Sequence, residues 1–270
     1  MKIIISHDVD HLTALEHVRD LILPKHILRS ILELGLGHAT VAEMGNRLGD
    51  ILKNRLHNLD SLLSFDREEE IPSTFFIGVA QGKGLTYSLD DAAVWISRIF
   101  SSGFDIGVHG ISYEGLRDIR QEWTTFSEKS GLSSFGIRMH YLRSNQMTLE
   151  SLSKIGYVYD SSVDSISPPY RIGSMWEFPL HIMDSRVFCV GQRWQNQTLD
   201  SAIDRTKRFL DDLYLQGVSY CTVCFHDMHF SDSFLDWKEW YIWLVRYLKD
   251  NKLSIVSFRQ AVAELRASDE

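Results

Sequence analysis

Residues 3–11 read Ile3-Ile4-Ile5-Ser6-His7-Asp8-Val9-Asp10-His11, an apolar run that ends in two aspartates spaced i, i+2. Such a run is typical of a buried strand. Residues two apart on a strand point to the same side, so Asp8 and Asp10 would face one site where the strand ends. Two carboxylates this close repel each other unless a cation lies between them. The stretch predicts a strand ending at a divalent-metal site, although aspartate is also common in a solvated turn.

Later segments repeat this pattern of an apolar strand with polar residues at its end. The four clearest are residues 74–77, 104–109, 136–141 and 220–226. His109 and His226 end two of these segments, and Arg138 and His140 would share one face of another. In a (β/α) barrel the active site lies at the carboxyl ends of the strands. We therefore expect an α/β protein, a distorted (β/α) barrel with these side chains at one mouth.

Composition limits the classes of function. The chain has 270 residues, a net charge of −8 and a pI near 5.8, which fits one domain over residues 1–270 and argues against nucleic acid or an anionic membrane as the partner. The apolar start at residues 3–5 is too short for a signal peptide, so we expect none, and no apolar run is long enough to span a bilayer. Cys189, Cys221 and Cys224 form no disulfide framework. We expect a cytoplasmic protein.

A long segment, about residues 12–70, separates the first two strands. Helical spacing predicts helices over 12–22, 27–34 and 48–65. A plain crossover needs only about a dozen residues, so we interpret the segment as a helical insertion that caps the barrel or contacts a protein partner or a second copy. Its histidines, with no acidic cluster beside them, are interpreted as structural: His17, His26, His38 and His57.

From residue 72 the chain alternates strands and helices, which predicts a parallel sheet. Further strands are expected at 157–161 and 253–256, and an irregular stretch at 168–179. Helices are expected at 89–101, 113–129, 148–154, 199–215, 234–250 and 258–267.

From residue 3 to about residue 265, the ordered motifs resemble the NodB homology domain, the polysaccharide deacetylases of carbohydrate esterase family 4. More narrowly they resemble a branch linked to O-antigen and surface-polysaccharide biosynthesis, whose first motif reads His-Asp-Val-Asp and whose third contains Arg-x-His-Tyr. The resemblance implies removal of N- or O-acetyl groups from sugars with a bound divalent metal, zinc being favoured.

The resemblance also assigns roles by position. It makes Asp8 the general base, held by Arg138, and His226 the catalytic acid. It makes Asp10 and His109 metal ligands and gives the backbone N–H of Tyr141 to the oxyanion. A substrate-side motif of this branch corresponds to Arg171, Trp176 and Glu177.

The second motif departs from the family pattern, because Tyr113 stands where a second metal-binding histidine is usual. A catalytic zinc normally has three protein ligands. His140, on the same strand face as Arg138, is the favoured replacement. The remaining possibilities are His7, His11 or His229, a water, or no metal at all.

Three hypotheses about function follow. The first is deacetylation of an N-acetylated sugar that is nucleotide-linked, lipid-linked or polymeric. The metal would activate a water for attack on the acetyl carbonyl, with Asp8 as base and His226 as acid. The second is a carbohydrate-binding or assembly protein that has lost turnover, which the tyrosine at 113 favours. The third is a metal amidase acting on another substrate.

Overall fold

The computed structural model describes residues 1–269 and arranges nine strands in one sheet. The strands are β1 (Lys2–Val9), β2 (Thr74–Ile77), β3 (Asp105–Gly110), β4 (Ile137–Met139), β5 (Tyr159–Asp160), β6 (Tyr170–Ile172), β7 (Met175–Glu177), β8 (Leu180–Met183) and β9 (Tyr220–Cys224). Their order is β6-β7-β5-β4-β3-β2-β1-β9-β8. All neighbours are parallel except β6 and β7. Because β6 and β8 do not pair within these residues, the sheet is a half-barrel.

Helices pack against both sides of the sheet, and most of them lie on its outside. They are α1 (Ile22–Gly35), α2 (Val41–Leu52), α3 (Leu59–Glu68), α4 (Leu89–Ser101), α5 (Leu116–Ser130), α6 (Gln146–Ile155), α7 (Asp184–Phe188), α8 (Leu199–Leu215), α9 (Leu235–Asp250) and α10 (Phe258–Asp269). The first three lie between β1 and β2, in the segment interpreted as an insertion. No helix within residues 1–269 is both long and apolar enough to cross a membrane.

Strand β1 divides the interior into two cores by strict alternation. Ile3, Ile5 and Val9 join the large core under the outer helices. Ile4 faces the other way and packs with Phe258 of α10 in a smaller core inside the half-barrel. The side chains of successive residues on a strand point to opposite faces. Helix α10 therefore fills the lower end of the half-barrel, and polar side chains occupy the upper end.

Sequence predicts the later helices well. Helices α4 and α8 have the predicted bounds, and each begins after a side-chain cap, from Ser88 and Thr198 respectively. Such caps satisfy backbone N–H groups that a helix leaves unpaired at its start. Pro24 lies in the first turn of α1, where a missing N–H costs nothing.

The prediction of a helix over 12–22 is wrong, since only a short 3₁₀ turn forms, at Leu15–His17. The carboxylate of Glu16 accepts the N–H groups of Leu12 and Thr13, each at 3.0 Å. Side-chain bonds of this kind compete with helical hydrogen bonds.

The helix predicted over 48–65 is also wrong as a single element, because α2 and α3 are separate. Asn54 between them has a positive φ of 55°, and its Oδ1 accepts the N–H of Leu15 at 2.7 Å. Asparagine tolerates this left-handed conformation, which ends a helix.

Two strand predictions also need correction. The stretch 168–179 is not irregular, because β6 and β7 pair there in an antiparallel hairpin with Gly173 at a φ of 59° in the turn. The strand predicted over 253–256 is reduced to one bridge, between Ile3 and Ile255. Strand β2 begins only at Thr74, opposite Ser6, so the start of β1 is free to make that bridge.

Candidate active site and metal centre

Asp8 and Arg138 form a buried ion pair at the upper end of the half-barrel. The Nη1 atom of Arg138 lies 2.9 Å from Oδ1 of Asp8 and donates to Oγ of Ser6 at 2.8 Å. Its Nε and Nη2 atoms bind the carbonyl and hydroxyl of Ser161 at 3.0 and 2.9 Å. Burial raises the pKa of Asp8, but the charges of Arg138, His109 and His226 together outweigh burial and hold the pKa below its usual value. Asp8 is therefore ionised and fixed in direction, as a general base must be.

Three ligand atoms converge beside this pair. His109 Nε2 lies 3.1 Å from Asp10 Oδ1 and 3.0 Å from His140 Nδ1, and His140 Nδ1 lies 3.3 Å from the same Asp10 oxygen. Both histidines are buried. A tetrahedral zinc with bonds of about 2.0–2.1 Å places its ligand atoms about 3.3 Å apart. The triangle of Asp10, His109 and His140 thus has the size that such an ion requires.

The outer contacts of the two histidines support the same interpretation. His109 Nδ1 contacts the carbonyl oxygen of Arg138 at 3.1 Å, and His140 Nε2 contacts that of Lys83 at 3.3 Å. Carbonyl oxygens only accept, so these nitrogens carry the protons. The other ring nitrogens then point lone pairs at each other and at the carboxylate of Asp10. A cation relieves that repulsion, and the donor set therefore fits a divalent metal.

The other candidates for the third ligand make contacts outside the triangle. Tyr113 packs with its ring centroid 4.9 Å from the guanidinium carbon of Arg143. His7 is on the opposite face of β1, where its ring contacts Asp66 at 2.9 Å. His229 contacts Asp184 through Nδ1 at 2.8 Å. His11 meets the ring of His17, with the ring centroids 4.6 Å apart. Only His140 is placed to complete the triangle among these candidates.

Asp184, directly after β8, orients His226 and raises the pKa of its ring. Its Oδ1 lies 2.7 Å from His226 Nδ1, and its Oδ2 accepts the backbone N–H of His226 at 2.9 Å. The Nε2 atom of His226 lies 3.7 Å from Asp10 Oδ2. Burial lowers the pKa of His226, but the charge and hydrogen bond of Asp184, together with the charges of Asp10 and Asp8, outweigh burial and raise that pKa to about 10. His226 is therefore an imidazolium at neutral pH, with one N–H directed to the metal centre.

These groups share one cavity of about 270 Å³. Its walls include Asp8, Asp10, His109, His140, Tyr141 and His226. Tyr141 is 65% exposed, and its ring lies against that of His140 with the centroids 4.1 Å apart and the planes tilted by 42°. Its φ of 57° is rare for a residue with a side chain. Strained backbone conformations of this kind are typical of functional sites. Tyr141 lies in the wall of the cavity.

The predicted substrate-side residues do not line this cavity. Trp176 packs in the core inside the half-barrel, and Arg171 is exposed on β6 with its guanidinium carbon 5.5 Å from the Trp176 ring centroid. Glu177 is fully buried and accepts the N–H of Val163 at 3.0 Å. The structure therefore does not bring these three residues to the metal centre, and their role in substrate binding stays a prediction.

Glu177 instead pairs with a second buried carboxyl group. Burial raises the pKa of Glu177 well above its usual value, and the neighbouring charge of Asp160 raises it further. Asp160 accepts the hydroxyl of Ser162 at 2.6 Å. We infer that the pair carries one proton, on Glu177, because two ionised carboxylates at this depth would repel.

Sequence reasoning missed Asp184, Ser6 and Ser161. Asp184 follows the short, mostly apolar segment Leu180–Met183, so it also comes directly after a strand. That signal was available, but a run of four residues directly after Pro179 is too short to predict a strand with certainty.

Comparison with solved structures places this arrangement in a known fold. A protein from Mycobacterium smegmatis assigned as a polysaccharide deacetylase is 19% identical, over 99% of this chain and 90% of its own, with a TM-score of 0.66. Puue allantoinase is 13% identical over 98% and 89%, with a TM-score of 0.63. A carbohydrate esterase family 4 pseudoenzyme from Bacillus anthracis is 8% identical over 97% and 65%, with a TM-score of 0.53.

No protein-family model and no curated protein matches the chain by sequence. At the identities above, the likeness concerns the fold alone. The chain has the fold of the NodB-type polysaccharide deacetylases, which confirms the predicted fold class. The same fold occurs in an allantoinase and in a pseudoenzyme, so the choice among these functions depends on the side chains of this chain.

Proposed function

We propose that this protein is a zinc-dependent deacetylase that hydrolyses the acetamido group of an N-acetylated sugar, in the cytoplasm, during the synthesis of a surface polysaccharide such as O-antigen. The observation that carries the proposal is the convergence at one cavity of a three-ligand metal triangle, an ionised base and a protonated acid. A protein that only binds sugars gains nothing from this combination.

Asp10, His109 and His140 would hold the ion through Oδ1, Nε2 and Nδ1. When bound, zinc would polarise the acetyl carbonyl and make a water molecule acidic enough to lose its proton near neutral pH. The residues around the triangle then decide where protons go.

Asp8 acts as the base. It accepts a proton from the attacking water as the new C–O bond forms, and Arg138 keeps it ionised until then. The oxyanion that develops on the carbonyl oxygen lies within reach of the cavity rim, where we assign the backbone N–H of Tyr141 as a donor. The exposed Tyr141 ring would lie against the sugar.

His226 acts as the acid. When the C–N bond breaks, its Nε2–H gives a proton to the leaving amine, so that the products are acetate and the free amino sugar. Asp184 holds that proton on the ring in the resting state. Base and acid are distinct groups whose pKa values are driven in opposite directions, a pattern expected of an acid–base pair.

The test is release of acetate by the native protein and by Asp8→Asn. Candidate substrates are acetamido sugars in nucleotide-linked, lipid-linked and polymeric form. We expect Asp8→Asn to keep its zinc and to release acetate at least ~10²-fold more slowly, since a general base contributes ~10²–10⁴ in rate. Arg138 keeps its bonds to Ser6 and Ser161 in this variant. Asp118→Asn, a change in the first turn of α5, is the matched control and should behave as native.

Chelation should abolish acetate release, and added zinc should restore it. If the native protein binds these sugars but releases acetate from none of them, the proposal fails and a binding or assembly protein becomes the better interpretation. Acetate release by thoroughly metal-free protein would refute the metal-dependent mechanism.

A further inference from the structure

A second cluster of metal-ligand types lies in the loop between β1 and α1. One ring nitrogen of His11, one carboxylate oxygen of Glu16 and one ring nitrogen of His17 lie within 4.8 Å of one another. His11 also lines the catalytic cavity. The cluster shares no residue with the triangle of Asp10, His109 and His140.

His17 has the surroundings of a metal-binding histidine. Its side chain is fully buried, and its Nδ1 lies 2.8 Å from Oδ2 of Asp20. Histidine ligands usually give their second ring N–H to a carboxylate in this way, which leaves the other nitrogen for the metal. That other nitrogen, Nε2, is buried and has no hydrogen-bond partner. It lies 3.0 Å from Oε1 of Glu16, but the contact is not directed along the ring N–H as a hydrogen bond must be.

His11 and Glu16 complete the arrangement. The Nδ1 atom of His11 is likewise buried without a partner. Oε2 of Glu16 accepts the N–H and the hydroxyl of Thr13. Oε1 accepts the N–H of Leu12 and retains a further lone pair. His17 Nε2 and Glu16 Oε1 are 3.0 Å apart, but the ring N–H does not point at the oxygen. This geometry is expected when both atoms bind one cation and no proton lies between them.

We propose that His11, Glu16 and His17 bind a second divalent cation of the zinc class. Two imidazole nitrogens and a carboxylate oxygen are a ligand set that zinc accepts. The cation accounts for two buried nitrogens that are otherwise unsatisfied. It would fix the loop that follows Asp10, and so the wall of the catalytic cavity that His11 forms. A protonated His17 held between Glu16 and Asp20 would leave Nδ1 of His11 unexplained.

Metal stoichiometry tests this proposal without any assay of activity. Protein stripped by chelation is equilibrated with buffered Zn²⁺, and bound metal is counted by elemental analysis. We expect two equivalents for the native protein, one for His17→Ala, one for His109→Ala and none for the double variant. His38→Ala, from the same segment but outside both clusters, should keep two.

Glu16→Gln tests the same cluster independently, in case His17→Ala does not fold. Glu16→Gln keeps a side-chain oxygen for the loop N–H groups but removes the charge, and it should weaken the second equivalent at least ~10-fold. Zn²⁺ should also raise the unfolding temperature of His109→Ala, but not when His17→Ala is added. One equivalent in the native protein, two in His17→Ala, or unchanged affinity in Glu16→Gln would overturn the proposal.

Discussion

Replacing Asp184 by Asn should convert His226 from a permanent imidazolium into a histidine that titrates near neutral pH. Asp184 makes four contacts shorter than 3 Å, two with His226, one with Nδ1 of His229 and one with the N–H of Ser185. Asn keeps the shape but removes the negative charge. Its amide would also place an NH₂ group where Nδ1 of His226 or of His229 now donates.

The magnitude follows from the pKa of His226, which is about 10 in the native protein. Without the charge of Asp184, burial is the main remaining influence, so the pKa should fall to about 6.5 or below. At pH 8 roughly 3% of His226 would then be protonated, and acetate release should slow about 30-fold. At pH 6 about three quarters would be protonated, and most of the rate should return.

The raised pKa of His226 also predicts how the stability of the native protein depends on pH. A histidine whose folded pKa lies above its unfolded value contributes stability that is complete below about pH 6.5 and is lost as the pH rises towards 10. Asp184→Asn should lose that slope. It should also be less stable by about 1–3 kcal/mol at neutral pH, the usual cost of an unsatisfied buried donor or acceptor.

The direct assay is NMR titration of the His226 ring, which needs no substrate. Asp227→Asn is the matched control. Burial raises the pKa of Asp227 to about 8, so this carboxyl is already protonated at neutral pH and Asn resembles it. The control should leave the His226 titration near its native position. A native His226 that titrates near pH 6.5, or the same midpoint in Asp184→Asn, would refute the reasoning.

Two further predictions concern the metal and a buried carboxyl. His140→Ala should weaken zinc binding at least ~10²-fold in a chelator competition, since changes to residues that merely hydrogen-bond a metal ligand already cost ~10–100-fold. Tyr113→Ala should not weaken zinc binding. Equal affinities for the two variants would exclude His140 as a ligand. Glu177→Gln should flatten the pH dependence of unfolding measured in denaturant. The raised pKa of Glu177 means that the native protein loses stability as the pH rises above about 4.5, and a slope that survives in the variant would contradict a protonated Glu177.

Much of the fold was predictable because strand periodicity is local. The alternation of Ile3, Ile4 and Ile5 predicts which side chains share a face, and the structure places Asp8 and Asp10 together for that reason. Polar residues directly after apolar strands predicted the mouth of the half-barrel. The excursion after β1 was predicted less well. Glu16 binds the N–H groups of Leu12 and Thr13 in place of helical hydrogen bonds, and Asn54, where the chain leaves α2, contacts the distant backbone of Leu15, so the apolar spacing alone misjudged where helices form.

In the candidate metal centre, too, some features follow from local sequence and others depend on distant contacts. The sequence predicted that Asp10 and His109 would point to one mouth, and it proposed His140 as one of several third ligands. The outer contacts with the carbonyl oxygens of Arg138 and Lys83, which orient the two rings, join residues far apart in the chain. No local pattern reports such contacts.

By itself, the sequence determined the α/β class and which side chains of β1 share a face, and it predicted roles for Asp8, Asp10 and His226. Only the tertiary structure decided that Asp184 lies against His226 and favours its protonated form, and that the buried carboxyl groups of Glu177 and Asp160 are neighbours. The physical reason is that a side chain's direction on its own strand depends on local alternation. Its charge state depends on which charges from other strands lie within a few Å, and on how deeply the group is buried.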